Sequence, residues 1–475
     1  MVVCADRTPL HSAKATILAS LKQVLACPNL IGDSREQDYY THSIELESID
    51  IVGLLPFIDM SQKVLFCDRE GERQYLGLKF IKTFSDTFSL ERARKLIIQN
   101  PQLILLGGQR FHPGQRPSPE WESLGSHFYV LPQFIFSRKN QQTRLLINIP
   151  KAAFSNSTLA VKLLMELEGI LTFKGHAQKK FSFKPYKQIP SFDQWQTQVA
   201  KAHKSFDQNE LDKVVLSRKE VLSSQELIKP DQVFEHLALK AGEHFIFHIQ
   251  WRHDQSFTSM TPERLFKLSG QDLYSDAIAG TRARGINQDA DLVLQHELLN
   301  SKKELNEHRF VSSAIKETMN GLGCYEVEVS DSETILKLSH VQHLYTKLKA
   351  KLLKTPKILD LIEAFHPTPA VGGKPKSEAI EWLLSTEEYD RGYFAAPVGV
   401  IDANGAEFCV AIRSALVFAR ELHVYAGAGL VPGSCPTAEW NETAVKMKNF
   451  TSKFTHTTVK APKSSEMHNE QHPSH

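Results

Sequence analysis

Apolar residues recur along this chain in two rhythms. HFYVLPQFIFS (127–137) and TRLLINI (143–149) are apolar almost throughout, which predicts buried strands. STLAVKLLMELEGIL (157–171) and SFDQWQTQVAKAHKSF (191–206) instead space their apolar residues three or four apart, which predicts helices. DKVVLSRKEVL (212–222), HFIFHIQWR (244–252) and ELHVYAGAGL (421–430) predict further strands. RLFKLSGQDLYSDAIAG (264–280) predicts two strands around Gly270-Gln271. GVIDANGAEFCVAIRSALVF (399–418) predicts a hairpin, with Asn404-Gly405 supplying the positive φ angles of its turn. Lys347, Lys351 and Lys354 recur at helical spacing and predict a solvated helix face. The Pro- and Gly-rich FHPGQRPSPEWESLG (111–125) predicts a long loop, and KGHAQKKFSFKPYKQIPS (174–191) a linker between halves. Strands joined by hairpins, with long helices between the groups, make the expected class α+β with large, mainly antiparallel sheets.

Composition narrows the function. Of 475 residues, 41% are hydrophobic and 23% charged, enough to build a substantial core and too apolar for a disordered chain. The formal net charge of +2 lacks the concentrated basic surface of a nucleic-acid partner. No apolar run approaches the roughly 20 residues that cross a bilayer, and the N-terminus lacks the layout of a secretory signal. Six scattered cysteines without a C-x-x-C pair predict reduced thiols and a cytoplasmic location. The polar segment 461–475 predicts a disordered tail, and its His468, His472 and His475 match no metal-site spacing.

Candidate chemistry gathers in the second half. Glu304 and Glu307 in SKKELNEHRF, and Glu439 and Glu442 in TAEWNETAVKM, form two Glu-x-x-Glu pairs, each on one face of a helix. Two such helices facing each other would offer a hard divalent cation such as Mg²⁺ a set of oxygen ligands; apart, they are solvated faces. Lys446 shares the face of Glu442. GAGLVPG (427–433) lacks the spacing of a dinucleotide fingerprint, so its glycines would let backbone amides approach an anion. Gly280-Thr281, directly after a strand, could meet a carboxylate in the same way or form a plain turn. Lys213 opens an apolar strand; it either protects an edge or, in a dry pocket, takes the neutral form a base needs. Glu263 opens the next strand group. Arg413, alternating with apolar neighbours in a strand, needs an anionic partner if buried. His366 lies in a Pro/Gly-punctuated loop.

KVVLSR, TPERLF, AIAGTRARG, KELNEH, HPTPAVGGKP, FCVAIRSA, YAGAGLVPGS and EWNETAVKM occur in this order over about 240 residues, and LLGGQRFHPG and FYVLPQF precede them. The chain resembles the chorismate-utilising enzymes, and among them most closely the isochorismate synthases. The resemblance implies one large unit of antiparallel sheets packed face to face and wrapped by helices. Residues 1–190 would form its N-terminal half and 191–460 its chorismate-binding catalytic half. It also implies an isomerase that adds water at C2 of chorismate as the C4 hydroxyl leaves. Lys213 would be the base that activates water and Glu263 the acid on the leaving hydroxyl. Glu307 and Glu442 would hold Mg²⁺, with Glu304 and Glu439 beside them. Gly280, Thr281, His366, Arg413, Gly427, Gly429 and Lys446 would contact the substrate. Isochorismate so made feeds menaquinone or catechol siderophores.

Relatives within the family differ in nucleophile. Anthranilate synthases carry glutamine where Lys213 stands and draw ammonia from an amidotransferase, and aminodeoxychorismate synthases typically carry lysine where Ala279 stands. Neither signature is present, so water is the expected nucleophile and no amidotransferase subunit is expected. Salicylate synthases share the Lys/Glu pair and are the alternative reading. A non-catalytic binding subunit would have lost Lys213, Glu263 or a metal glutamate, and all are present.

Overall fold

The computed structural model describes residues 8–27, 38–173, 183–238, 244–330, 334–337, 341–354 and 356–451. Its strands join in antiparallel pairs that divide into two arms at one long strand, His127–Lys139. The start of that strand pairs with Leu105–Gln109, its end with Gln142–Pro150, and Arg73–Phe84 runs along its other edge. One arm continues from Arg73–Phe84 through Lys63–Cys67, Phe245–Arg252, Gln255–Thr261, Ser414–Phe418 and Glu421–Leu430 to Lys213–Ser224. The other continues from Leu105–Gln109 through Pro397–Asp402, Gly405–Val410, Arg264–Ser269 and Asp272–Ala283 to Val341–Leu352. The class is the expected α+β, and strands from both halves of the chain are neighbours in each arm.

Period-two alternation explains why so many strands are apolar throughout. In Lys63–Cys67, Val64 and Phe66 enter a core between the arms, where they join Leu106, Val398 and Phe408. Leu65 and Cys67 point the other way, into a second core. That core is closed by Leu10, Ile17 and Leu21 of helix Thr8–Leu25 and by Leu163 and Leu167 of helix Ser157–Ile170. A strand covered on both faces carries no polar positions to mark its alternation. No helix of the described residues is long and apolar enough to cross a membrane.

Several expectations are corrected. The 174–191 stretch is not simply a linker: Phe183–Ile189 is an edge strand on Lys213–Ser224, with Pro185 at an irregularity in the pairing. An edge tolerates the missing donor of proline, so the polar sequence concealed a strand. Residues 174–182 and the tail 461–475 lie outside the described residues. Lys347 and Lys351 lie on the strand Val341–Leu352, where they share one face with Lys349, and Lys354 follows it; there is no helix there. In the 397–410 hairpin only Gly405 has positive φ (148°), and a Cβ there would lie 2.0 Å from the Leu268 carbonyl, so the glycine answers to its neighbouring strand. Gly427 and Gly429 lie within the strand Glu421–Leu430, and the turn comes after it, with Gly433 at φ 87°.

The Pro-rich 111–125 loop is packed tightly. Buried Arg110 pairs with Asp390 at 2.6 Å, the Ser118 amide donates to Asp390 at 3.1 Å, and the Phe111 amide donates to the Gly392 carbonyl at 2.8 Å. Trp121, fully buried, meets Phe257 edge to face and lies tilted against Tyr393. Gly392 has φ 55°, and a Cβ on it would stand 2.1 Å from the Trp121 ring. Gly392→Ala should therefore cost on the order of 2–3 kcal/mol, from overpacking together with left-handed backbone strain. A urea midpoint unchanged from wild type would show that the ring yields freely.

Candidate active site

Two short crossings between the arms lie side by side. Pro262-Glu263 links Gln255–Thr261 to Arg264–Ser269, and Ala411–Arg413 links Gly405–Val410 to Ser414–Phe418. The Val410 amide donates to the Glu263 carbonyl at 3.0 Å, the Met260 amide to the Arg413 carbonyl at 3.1 Å, and the Ser259 hydroxyl to the Ile412 carbonyl at 2.7 Å. Arg413 is thus not a strand residue as its alternation suggested. It sits in the crossover at φ 50°.

Glu263 is buried in this seam, and its Oε1 accepts from Thr368 Oγ1 at 3.2 Å. Burial pushes its carboxyl up to about 7, against the opposing pull of Thr368 and the Lys213 charge. Lys213 lies at the start of its strand with its side chain 9% exposed, and its Nζ donates to Glu307 Oε1 at 3.1 Å. Gly429 makes room for it, since a Cβ there would come within 3.1 Å of Lys213 Cε. The helix Lys302–Gly321 that carries Glu307 is capped by Ser301, whose side chain accepts the Glu304 amide.

Glu304, in the first turn of that helix, accepts the Thr281 amide at 3.2 Å and Arg282 Nη1 at 3.1 Å. Gly280-Thr281 does meet a carboxylate, and it belongs to the protein itself. These residues do not follow a strand: Asp272–Ala283 runs through them with an irregularity between Ala279 and Thr281, where Gly280 takes φ 75°. Thr281 is the register partner of His343 and accepts from its Nδ1 at 3.0 Å, while His343 Nε2 accepts from Arg413 Nη2 at 3.2 Å. His244 Nε2 accepts from Arg413 Nη1 at 2.9 Å. Burial and the Arg413 charge push the His343 imidazole down to about 3, so it is neutral. Burial brings Arg413 itself down to about 10. Among the described residues no carboxylate pairs with its guanidinium.

On helix Pro436–Thr451, Lys446 Nζ reaches Glu442 Oε1 at 2.7 Å and the Gly427 carbonyl at 2.9 Å. Burial and the nearby charge of Glu442 raise the Glu439 carboxyl, against Ser434, Lys446 and Lys303. Lys303 belongs to the other Glu-bearing helix, so the two helices converge. His366 Nε2 donates to the Phe111 carbonyl at 2.9 Å, and its buried Nδ1 has no partner among the described residues. Burial pushes this imidazole down to about 3.

The sequence-predicted residues therefore form a connected set. Glu307 ties Lys213 to the helix of Glu304, Glu304 ties that helix to Gly280-Thr281, and Thr281 leads through His343 to Arg413. Thr368 joins Glu263 to the His366 loop. The four carboxylates offer oxygen donors alone, and the Glu439–Glu442 repulsion is one that a cation would relieve, so the donor chemistry fits Mg²⁺. Among the described residues no three acidic, His or Cys side chains stand together as a closed cage. Glu307 and Glu442 face Lys213 and Lys446 instead. Sequence reasoning missed Thr368, His343 and His244. Thr368 lay inside HPTPAVGG; His343 becomes visible only when its strand is paired with Thr281.

The family of chorismate binding enzymes matches residues 32–455. The isochorismate synthase MenF of Bacillus subtilis (strain 168) is 30% identical over 346 residues, 73% of each chain. The salicylate biosynthesis isochorismate synthase of Pseudomonas aeruginosa is 33% identical over 350 residues, 72% of each chain. The solved structure of MenF, the menaquinone-specific isochorismate synthase from Escherichia coli, shares the fold with a TM-score of 0.79 at 21% identity, covering 93% of this chain and all of that one. With both halves of the fold and its ordered motifs included in the match, the chain belongs to the chorismate binding enzyme family.

Proposed function

We propose that this protein is an isochorismate synthase that acts without an amidotransferase subunit, and that water is its nucleophile. The observation that carries the reading is a buried Glu263 that lies near enough to Lys213 to feel its charge. A carboxyl with its midpoint at about 7 keeps a proton near neutral pH. Hydroxide is a poor leaving group, so departure of the C4 hydroxyl needs a donor, and Glu263 is suited to be it. To accept the proton of the water that attacks C2, Lys213 must first give up its own. Arg413, flanked by His343 and His244 and with no carboxylate on it among the described residues, is placed to take a substrate carboxylate, and Lys446 adds a second cation. Glu307 and Glu442 would hold Mg²⁺, with Glu304 and Glu439 beside them. Bound there, the cation would fix the C1 carboxylate and draw electron density toward it. The described cysteines are free thiols, in keeping with the reducing cytoplasm.

Lys213→Ala and Glu263→Gln should each leave a folded protein with turnover lower by a factor on the order of 10² or more. Glu263 donates only while protonated, so wild-type turnover should fall as pH rises through about 7. The residual activity of Glu263→Gln should lack that limb. Near-wild-type turnover in either variant would remove the assignment.

Metal dependence is read by chelation. EDTA should abolish turnover and added Mg²⁺ restore it. Glu307→Ala and Glu442→Ala should each raise the Mg²⁺ concentration needed for half activation, because each removes a hard oxygen ligand. Full turnover in excess EDTA would contradict the two-helix site.

Product analysis separates this reading from salicylate synthase. Chorismate and Mg²⁺ should give isochorismate reversibly, with little pyruvate detected through lactate dehydrogenase. The loop holding Ala370 and Val371 resembles that of isochorismate synthases, and pocket packing shifts barriers by ~1–3 kcal/mol, a factor of roughly 10–200. Stoichiometric pyruvate with fluorescent salicylate would replace the proposal with the alternative.

A further inference from the structure

The hairpin of Lys63–Cys67 and Arg73–Phe84 belongs to the first arm, but the charged side chains at its turn reach into the second. Arg69, its side chain 6% exposed, donates from Nη1 to the Pro262 carbonyl at 3.0 Å. Its Nη2 donates to Asp276 Oδ2 at 2.8 Å and to the Tyr345 hydroxyl at 3.1 Å. The guanidinium also lies over the Phe245 and Tyr345 rings, at 5.6 and 5.2 Å from their centroids. Arg264, on the other side of Glu263 in sequence, meets Glu407 Oε1, Asp276 Oδ2 and both oxygens of Glu70, each at 3.0 Å.

The crossover that carries Glu263 has a weak point. Pro262 has no N–H, so its carbonyl is the only backbone group by which that residue can be held. Arg69 holds it, and Arg69 is itself fixed by Asp276, Tyr345 and two rings. We propose that Arg69 is a positioning residue for Glu263: it clamps the Pro262 carbonyl across the seam and so sets the direction from which the Glu263 carboxyl meets the substrate. This rests on the reading of Glu263 as the acid. It gives the N-terminal half, which supplies none of the residues assigned to the chemistry, a direct part in turnover. A displacement of about 1 Å at a reacting group can cost on the order of 10²-fold in rate, so a lost clamp is felt in kcat.

The same charged network supplies the comparison. Asp402 pairs with Arg73 at 2.9 Å and touches nothing in the crossover. Steady-state kinetics and melting temperatures of full-length Arg69→Met, Arg69→Lys and Asp402→Asn test the proposal. Arg69→Met should lower kcat by roughly 10- to 10²-fold, with KM for chorismate and half-activating Mg²⁺ within about twofold of wild type. Arg69→Lys keeps one donor for the Pro262 carbonyl without the planar fork and should fall between, about two- to tenfold below wild type. Asp402→Asn should lower the melting temperature but leave kcat within about twofold, since it breaks a buried pair away from Glu263. Equal kcat losses in Arg69→Met and Asp402→Asn, or a change confined to KM, would overturn the proposal. If Arg69→Met does not fold, Arg69→Lys decides, and wild-type kcat there would overturn it. If Glu263→Gln keeps its activity, the acid assignment itself fails; if it loses activity while the Arg69 variants do not, only the clamp fails.

Discussion

The site depends on two neighbouring backbone hydrogen bonds, from the Val410 amide to the Glu263 carbonyl and from the Met260 amide to the Arg413 carbonyl. Two antiparallel arms share a core, and the chain must pass between them without leaving buried amides and carbonyls unpaired. The two crossovers satisfy each other by lying side by side. In doing so they bring Glu263 and Arg413, about 150 residues apart in sequence, into one seam. Each then experiences burial differently. Glu263 has only a threonine hydroxyl and a lysine charge against it, so its acid form persists to about 7. Arg413 has imidazoles in place of a carboxylate and keeps its capacity for an anion.

Charge is distributed unevenly around that seam. On the side of the 68–73 hairpin, Arg69, Arg73 and Arg264 are matched by Glu70, Asp276, Asp402 and Glu407. On the side of the candidate site, Arg413 has no carboxylate among the described residues, and the charge of Glu442 raises the Glu439 carboxyl. Buried charges are costly unless paired and hydrogen-bonded. The matched side can therefore be rigid, whereas Arg413 and Glu439 retain unsatisfied charge, as the proposed binding of a dianion and a cation requires.

Much of this was legible in the sequence. The strands expected at 127–137 and 212–222 follow from their apolar runs alone, because local pattern reflects which faces are covered. Lys213, Glu263 and the four glutamates could be named as candidates because the type of residue and its setting in a motif coincide. What escaped was non-local. His343 reads as one more polar residue in a half-buried strand until its register with Thr281 is known. Phe183–Ile189 reads as a linker, because a polar edge strand is identified by its partner and not by its own pattern. Arg413 kept strand-like alternation up to the point where the chain leaves the sheet.

The N-terminal half illustrates why the largest gap between sequence and site is one of direction. Its residues contribute core volume, which a hydrophobic pattern discloses, but also a guanidinium aimed at a carbonyl nearly 200 residues away. A hydrophobic replacement of that arginine could fill the same space, and buried ion pairs are often no more stabilising than such replacements. Stability alone therefore gives little reason for so many buried charges at this turn. Apolar packing resists compression but holds a peptide group only loosely against rotation, whereas a forked donor bound at both ends defines an angle. A carboxyl that acts as a directed acid, as proposed for Glu263, needs that angle fixed. Placing the charged network at the Pro262 carbonyl holds the backbone of the Glu263 crossover without engaging the Glu263 carboxyl.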